Sequence, residues 1–402
     1  MKLPRKLWCR TFQLVLRLAL PVLPYRDPDI LDRVEQVPEV LKKHGLGRPL
    51  VVTDGSIRAL GLTQPLEAAL AGASMVPTVY DGTRPNPTTK MVDEALKLYR
   101  DNGCDCLVAF GGGSPMDCAK AVGARLARPK KPLGKMAGIL KIWHRLPLLV
   151  AIPTTAGTGS ETTLAAVIVD ADTRHKYVIN DFFLIPPYAV LDPAVIHSLP
   201  FSVAAATGMD ALTHAVEAYI GHSTNKHTRA DAEEAVRLVF ANLERAAAHT
   251  DNRAEAAMLR AAHLAGRAFT RSYVGYVHAA SHALSGRYDL PHGQTNATLL
   301  PLVLELYGEA AAPKLAKLAV CAGLGREEEG AKALAERFIA EIRAMNRRLG
   351  IPETIPEIRE EDIPTLCAHA DREANPLYPV PILWDAGELE VIYRKAVGQN
   401  EQ

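Results

Sequence analysis

Asp210, His214, His278 and His292 combine residue type and spacing in a way that points to chemistry. Asp210 and His214 stand one helical turn apart in Gly208-Met-Asp-Ala-Leu-Thr-His214, a stretch that reads as helix, so both side chains emerge on one face. Glu217 follows a further turn along on roughly the same side. His278 and His282 repeat the one-turn spacing in Tyr276-Val-His-Ala-Ala-Ser-His282, and His292 follows behind Pro291, where a turn brings it back. One carboxylate and three imidazoles make a ligand set suited to Fe²⁺ or Zn²⁺. Of the 13 histidines, His44, His144, His175, His197, His222, His227, His249, His263 and His369 lack such a companion, and a lone histidine on an apolar face is ordinarily a satisfied core residue. A pair of pairs is different. Burying several imidazoles beside a carboxylate is costly without a cation or a complete hydrogen-bond network.

A second constellation lies upstream. Phe110-Gly-Gly-Gly-Ser-Pro-Met-Asp-Cys-Ala-Lys120 follows a strand and opens a helix, with Ser114 as expected N-cap, Pro115 at the first helical position and Asp117 placed to reach back as in a capping box. Three glycines let backbone approach an anion closely, and the helix N-terminus offers unsatisfied N–H groups, which is the physics of pyrophosphate binding. It is not a Walker loop, having no Gly-Lys-[Ser/Thr]. It departs from G-x-G-x-x-G too, because Met116 holds the third place. Asp54 ends a strand where a carboxylate can accept from ribose hydroxyls and repel a 2′-phosphate, favouring NAD over NADP; the plainer reading is a turn residue in Thr53-Asp-Gly-Ser56. Pro153-Thr-Thr-Ala-Gly-Thr-Gly-Ser-Glu161 follows another strand end, and its hydroxyls at Thr154, Thr155 or Ser160 can line a cofactor crevice or simply cap a turn. A cation site and a dinucleotide-type turn on one chain point to metal-assisted hydride transfer.

These groups need rigid elements to position them, and the chain can build them. It has 402 residues, 48% apolar and 23% charged, enough for two ordinary domains with sizeable cores. The formal net charge of +1 gives no field for nucleic acid, and no basic stripe interleaved with aromatics appears. Cys9, Cys104, Cys106, Cys118, Cys321 and Cys367 form no paired framework and read as reduced, mostly buried thiols.

Strands at 50–53, 74–80, 106–110, 148–152 and 165–169 alternate with helices at 64–71, 88–102 and 115–126, a parallel doubly wound pattern. From Ser202 onward the strand signal fades, and helices are expected at 202–220, 227–248, 253–270, 273–286, 295–307, 311–322, 328–349 and 386–397. The fold expected is therefore an α/β, Rossmann-like parallel-sheet domain over 31–199 followed by an all-helical, metal-binding domain over 200–402, behind an N-terminal extension over 1–30. In that extension Trp8, Phe12, Val15 and Ala19 recur on one helical face, opposite Lys6, Arg10, Gln13 and Arg17. The apolar run Leu14–Leu23 is about half the ~20 residues of a membrane span, and Arg17 interrupts it, so no transmembrane segment is expected. Such a helix packs on the body of the protein or on a second subunit, with a membrane surface as the rarer use of a basic, tryptophan-bearing face. Otherwise the chain is cytoplasmic in character.

The motifs resemble those of the iron-dependent (group III) alcohol dehydrogenases over about residues 35–370: Gly-Gly-Gly-Ser-x-x-Asp-x-x-Lys at 111–120, Pro-Thr-Thr-Ala-Gly-Thr-Gly-Ser-Glu at 153–161, Ala-Thr-Gly-Met-Asp-Ala-Leu-Thr-His at 206–214, and His-x-x-x-His with Pro-His-Gly at 278–293. The resemblance implies a dehydroquinate synthase-like architecture with the active site in the cleft between the domains. It implies metal ligands at Asp210, His214, His278 and His292. It makes His282 a residue near the nicotinamide, here assigned to catalysis as a proton relay, and not a ligand. It places the cofactor positions at Asp54, Asn86, Gly112, Gly113, Ser114, Thr154, Thr155 and Lys176. The activity implied is reversible hydride transfer between NAD(H) and a small alcohol or aldehyde, with Fe²⁺, or alternatively Zn²⁺, polarising the substrate oxygen, in a homo-oligomer that is often a dimer. A glycerol-type polyol dehydrogenase is the rival on the same fold. A dehydroquinate synthase-like lyase needs a basic pocket, and no Lys/Arg cluster lies near the ligand motifs. The rival of another class is a metal- and nucleotide-binding module without turnover. The extension and the C-terminal tail depart from the family pattern: Asp29-Ile-Leu-Asp-Arg-Val-Glu35 replaces a glycine-bearing entry to the first helix.

Overall fold

The computed structural model describes residues 1–398. By compactness the chain divides into Pro24–Ser198 and a second unit that joins Met1–Leu23 to the chain from Leu199 onward. Helix α1 (Leu3–Ala19) belongs to that second unit.

The α/β unit runs through β1 (Asp29–Leu31), α2 (Val37–Lys43), β2 (Pro49–Asp54), α3 (Gly55–Ala59), α4 (Gln64–Gly72), β3 (Thr78–Thr83), α5 (Thr89–Asp101), β4 (Cys106–Gly111), α6 (Gly113–Ala127), β5 (Gly138–Ile139), β6 (Leu149–Pro153), β7 (Ala165–Val169), β8 (Lys176–Asn180) and β9 (Tyr188–Val190). Six strands form one parallel sheet in the order β1-β9-β6-β4-β2-β3. Its central strand β4 is buried at every residue, and its apolar run is continuous because a parallel sheet is covered on both faces. From β2 the chain steps outward to β3, then returns to lay β4 on the other side of β2. That reversal opens a crevice beyond the carboxyl ends of β2 and β4, the place where doubly wound sheets receive ligands. Asp54 ends β2 and Gly111 ends β4, so two separate sequence signals meet there.

One strand was assigned to the wrong sheet. Ala165–Val169 leaves the parallel sheet and pairs antiparallel with β8, in a second sheet ordered β5-β8-β7. The cause is local: Asp170 Oδ1 accepts from the N–H groups of Asp172 and Thr173 and from the Thr173 hydroxyl, closing a tight turn with no helix to cross over. Strand β3 starts at Thr78 rather than at 74, since Ser74 takes a left-handed conformation that closes the preceding helix.

The helical unit contains α7 (Phe201–Ile220), α8 (Lys226–Ala247), α9 (Asn252–Ser272), α10 (Tyr276–Tyr288), α11 (His292–Tyr307), α12 (Ala312–Cys321), α13 (Ala331–Arg348), α14 (Ile363–Ala374) and α15 (Ala386–Val397). Helix α7 is buried without a break from Gly208 to Ile220. Gly208 allows the close approach of α8 and α9, because a Cβ there would collide with Leu243 and lie 3.1 Å from Met258 Cε. Helix α10 starts later than expected, at Tyr276, and α11 starts earlier, at His292 itself. Asp289 in a left-handed conformation ends α10 and turns the chain back. Among the described residues all six cysteines are free; Cys321 is half-buried and the rest are buried.

Helix α1 is amphipathic as expected, and it docks by a mixed side on which Cys9, Gln13 and the following Leu20 are buried. Gln13 is 4% exposed and donates through Nε2 to the carbonyls of Pro376 and Tyr378 at 3.1 and 2.7 Å. Arg10 donates to the carbonyls of Val380 and Pro381 at 2.8 and 2.9 Å, and Arg5 forms a two-pronged pair with Asp371. Trp8 and Val15, from the apolar face, stay 59% and 60% exposed.

Lys120 fastens α6 to the loop before β7. Fully buried, its Nζ donates to the carbonyls of Ser160, Thr163 and Ala165 and to Thr163 Oγ1, at 2.7–3.0 Å. Burial pulls its pKa down, while Asp117 and Glu161 oppose the shift. Lys120→Met removes the donors and strands these acceptors, so the folded state should lose about 2–4 kcal/mol. Thermal unfolding followed by circular dichroism checks this; an unchanged midpoint would count against the role.

Candidate functional site

Helix α7 carries Asp210, His214 and Glu217 on one face, α10 brings His278 and His282, and the first turns of α11 bring His292 and Asn296. Asp210 Oδ1 is the common neighbour. His278 Nε2 and His292 Nε2 lie 3.8 Å from it, His214 Nδ1 lies 3.9 Å away, and Asn296 Nδ2 donates to it at 2.7 Å. Asp210, His214 and His278 are buried and offer ligand atoms that all fall within 4.8 Å of one another. His292 completes the ring from a partly exposed position.

Glu217 decides what His278 presents. It accepts from the N–H groups of Gly275 and Val277 at 2.8 Å and from His278 Nδ1 at 2.6 Å. The carboxylate therefore sits at the N-terminus of α10, satisfying backbone donors that have no partner within the helix. Gly275 makes this possible, since a Cβ there would come 2.7 Å from Glu217 Oε1. Burial pushes the Glu217 pKa up to about 7, against the pull of these N–H donors. With its proton on Nδ1, neutral His278 turns a lone pair at Nε2 toward Asp210. That nitrogen is buried and has no hydrogen-bond partner among the described residues. Burial and the neighbouring His214, His292 and His282 hold the ring well below the ordinary histidine pKa, so protonation does not relieve the clash of acceptors. A divalent cation does. Separations of 3.8–3.9 Å are a little under twice a typical ~2.1 Å bond from metal to nitrogen or oxygen. The residues fit the group.

His282 is held apart from this ring. Its Nδ1 meets Glu373 Oε1 at 2.6 Å, and Tyr378 OH donates to the same oxygen at 2.8 Å. Although burial alone would raise it, His282 and Tyr378 hold the Glu373 carboxyl below its ordinary range. The His282 ring stacks on His292 with centroids 5.0 Å apart. Gly293, in Pro-His-Gly, has a steric reason: a Cβ would meet the Ala206 carbonyl oxygen at 2.6 Å.

In the α/β unit, Gly112 and not Ser114 is the N-cap of α6, which starts two residues earlier than expected, and Pro115 falls at the third helical position. Asp117 makes no capping box; it accepts from the Val167 N–H and faces Lys120, and burial pushes its carboxyl up. The glycine-rich turn lies against the second loop. A Cβ on Gly112 would sit 3.5 Å from the Thr155 side chain, and one on Gly113 3.5 Å from Thr158. Thr155 Oγ1 is buried without a hydrogen-bond partner among the described residues, beside the backbone of Gly112. Thr154 is buried, and its N–H donates to the Gly111 carbonyl at 3.2 Å. Asp54 caps α3 through Oδ1, which accepts from Ser56 and Ile57 N–H at 2.9 Å; Oδ2 takes no part in the cap. Asn86 Oδ1 accepts from Lys176 Nζ at 2.9 Å, so two positions far apart in sequence meet. An orphan hydroxyl, a helix N-terminus with no side-chain cap and a strand-end carboxylate around one crevice fit a dinucleotide.

Sequence reasoning assigned no role to Glu217, Asn296, Glu373 or Lys120. Asn296 had a signal, one turn after His292, and so did Glu217, one turn after His214. Glu373 had none, since it reaches His282 from a helix that was not foreseen.

The model for iron-containing alcohol dehydrogenases matches residues 31–193, and that for the C-terminal part of the same family matches residues 204–397. The chain is 38% identical to 1,3-propanediol dehydrogenase of Klebsiella pneumoniae, over 87% of this chain and 91% of that protein. It is 34% identical to NAD-dependent methanol dehydrogenase of Bacillus methanolicus, over 84% of this chain and 89% of that one. Among solved structures, alcohol dehydrogenase from Oenococcus oeni superposes with a TM-score of 0.88 at 31% identity, covering 92% of this chain and all of that one. Fold and site together define an oxidoreductase working between alcohols and aldehydes. The chain belongs to the iron-containing alcohol dehydrogenase family.

Glu217→Gln keeps the shape but replaces one acceptor oxygen with a donor that opposes the N–H groups it now serves. Affinity for a divalent cation should fall by about 10–100-fold, as when partners that orient a ligand are removed. Titrating the metal-free protein with Co²⁺ against a chelator measures this; wild-type affinity in the variant would refute the orienting role.

Proposed function

We propose that Asp210, His214, His278 and His292 hold one divalent cation, Fe²⁺ before Zn²⁺. In the same reading Asp54, Asn86, Gly112, Gly113, Ser114, Thr154, Thr155 and Lys176 hold NAD(H), and the enzyme interconverts a small alcohol and its aldehyde or ketone. The observation that carries this is the buried Nε2 of His278, a lone pair aimed at a carboxylate oxygen in a ring of three imidazoles, an arrangement that a divalent cation reconciles. When bound, the cation supplies Lewis-acid polarisation of the substrate oxygen, and the nicotinamide gives or takes the hydride. The chain does the rest. In the oxidation direction His282 is the residue placed to take the proton of the alcohol. With Nδ1 committed to Glu373, His282 takes that proton at Nε2, the carboxylate stabilises the cationic ring, and its partial exposure lets the proton leave to water. Relatives named for 1,3-propanediol and methanol support a short substrate, a diol included.

His278→Ala should abolish metal retention and turnover together, read by elemental analysis and by NADH formation over a panel of short alcohols and diols. Full activity in this variant refutes the ligand set. A wild-type protein that binds NAD and metal but turns over no member of the panel returns the reading to a silent binding module.

For the cofactor, Asp54→Asn is the informative change, because asparagine caps a helix as well as aspartate and only the charge is lost. The ratio of kcat/KM with NADP to that with NAD should rise by about tenfold, equivalent to ~1.4 kcal/mol. A ratio that does not move removes Asp54 from the discrimination.

A further inference from the structure

The way α1 docks leaves an outward surface that neither the metal site nor the cofactor crevice uses. Its inward side carries Arg5, Cys9, Arg10 and Gln13, buried or bonded to the rest of the helical unit, together with the buried Leu20 and the partly buried Phe12 and Leu16. Its outward side carries Leu3, Leu7, Trp8, Leu14, Val15 and Leu18, each more than half exposed, and Val22 continues the strip at 82%. A surface helix ordinarily buries such a face. Here the polar anchors are already satisfied, so the helix cannot roll over to bury the apolar side without breaking them. An apolar strip of this length on a folded protein marks an interaction site.

Charge chooses the occupant. No Asp or Glu precedes Asp27, and Lys2, Lys6 and Arg17, none of them engaged by the anchoring contacts, border the strip. Two copies of the chain pairing through this face would set cation against cation with no carboxylate on either helix to answer, because a two-fold interface matches a patch with itself. A lipid bilayer with anionic headgroups answers both features. Leucines, a valine and Trp8 enter the headgroup–acyl boundary, and lysine and arginine meet phosphates at its rim. No helix among the described residues is long and apolar enough to cross a membrane, so the contact is one of lying on the surface. We propose that α1 is a membrane-docking element that seats this enzyme on an anionic lipid surface by its outward apolar face. The proposal is independent of which cofactor or substrate the enzyme uses.

The test is flotation of the full-length protein with vesicles of phosphatidylcholine alone or with roughly one third phosphatidylglycerol. Wild type should rise with the anionic vesicles and much less with the neutral ones, and added salt should weaken the binding. Leu7→Ser, Leu14→Ser and Leu18→Ser combined should reduce the partition at least about tenfold while turnover in lipid-free buffer is unchanged, since none of these side chains is part of the site or buried. Lys2→Glu with Lys6→Glu and Arg17→Glu should abolish the preference for anionic vesicles. Failure of the wild type to float, or serine variants that float as well as wild type, overturns the proposal. So does sedimentation showing that the serine changes split a wild-type dimer without lipid, which would give this face to a second copy.

Discussion

The buried oxygen Asp210 Oδ1 organises the helical unit's chemistry. Three imidazole nitrogens and one amide approach it from three different helices. The Asn296 amide donates to it at 2.7 Å while the ring nitrogens stay 3.8–3.9 Å away, and His278 is held neutral by burial and by its companions. A buried carboxylate facing the lone pair of His278 Nε2 is costly by itself in a low-dielectric interior. The surrounding structure nonetheless spends its hydrogen bonds on keeping this geometry. Glu217 fixes the tautomer of His278, the N-terminus of α10 fixes Glu217, and Gly275 and Gly293 remove the side chains that would push the helices apart. The same arrangement that is costly without a cation is pre-organised for one, which is why the ring is built on rigid helices rather than on loops.

The α/β unit poses the opposite problem, a crevice suited to a large anion but lined by few charges. The reversal of strand order between β2 and β4 puts a capped carboxylate and a glycine-rich helix start on either side of one crevice. The turn can approach a ligand only if it is braced from behind, and Lys120 is the brace, spending a buried ammonium on four oxygens of the loop that follows Ser160. From the sequence alone this lysine had no assigned role. Its complete saturation by protein acceptors shows that it shapes the loop carrying Thr154 and Thr155.

What was legible in the sequence followed from local rules. The one-turn spacing of Asp210 and His214 could be read because a helix puts i and i+4 on one face, and the continuous apolar run at 106–110 because a parallel strand is covered on both sides. What was misread depended on contacts remote in sequence or on turn chemistry overlooked. Ala165–Val169 has the composition of a core strand, and only the Asp170 turn diverts it into a second sheet. Ser114 is a better N-cap by type than Gly112, yet the glycine takes the position because the chain must pass close to Thr155 there. Glu373 could not have been found, since nothing within its own helix announces that it faces a histidine some 90 positions away.

Helix α1 shows that an amphipathic periodicity does not by itself say which side is buried. Amphipathicity says that one face differs from the other, and the usual inference that the apolar face turns inward assumes an apolar receptor. The receptor here is the irregular stretch from Asn375 to Leu383, where Pro376, Pro379 and Pro381 supply no N–H and the chain pairs with no strand. Such backbone leaves carbonyl oxygens in need of donors, and a buried carbonyl without one is costly. Gln13 and Arg10 meet four of them, at Pro376, Tyr378, Val380 and Pro381. Leucine cannot replace that contribution however large its apolar area, because area does not satisfy a carbonyl. The side bearing Gln13 and Arg10, with Cys9 and Leu20 buried beside them, is therefore held inward by hydrogen bonds, and Leu7, Leu14 and Leu18 on the opposite side stay exposed. An outward apolar face here reflects the prolines of a segment hundreds of residues downstream.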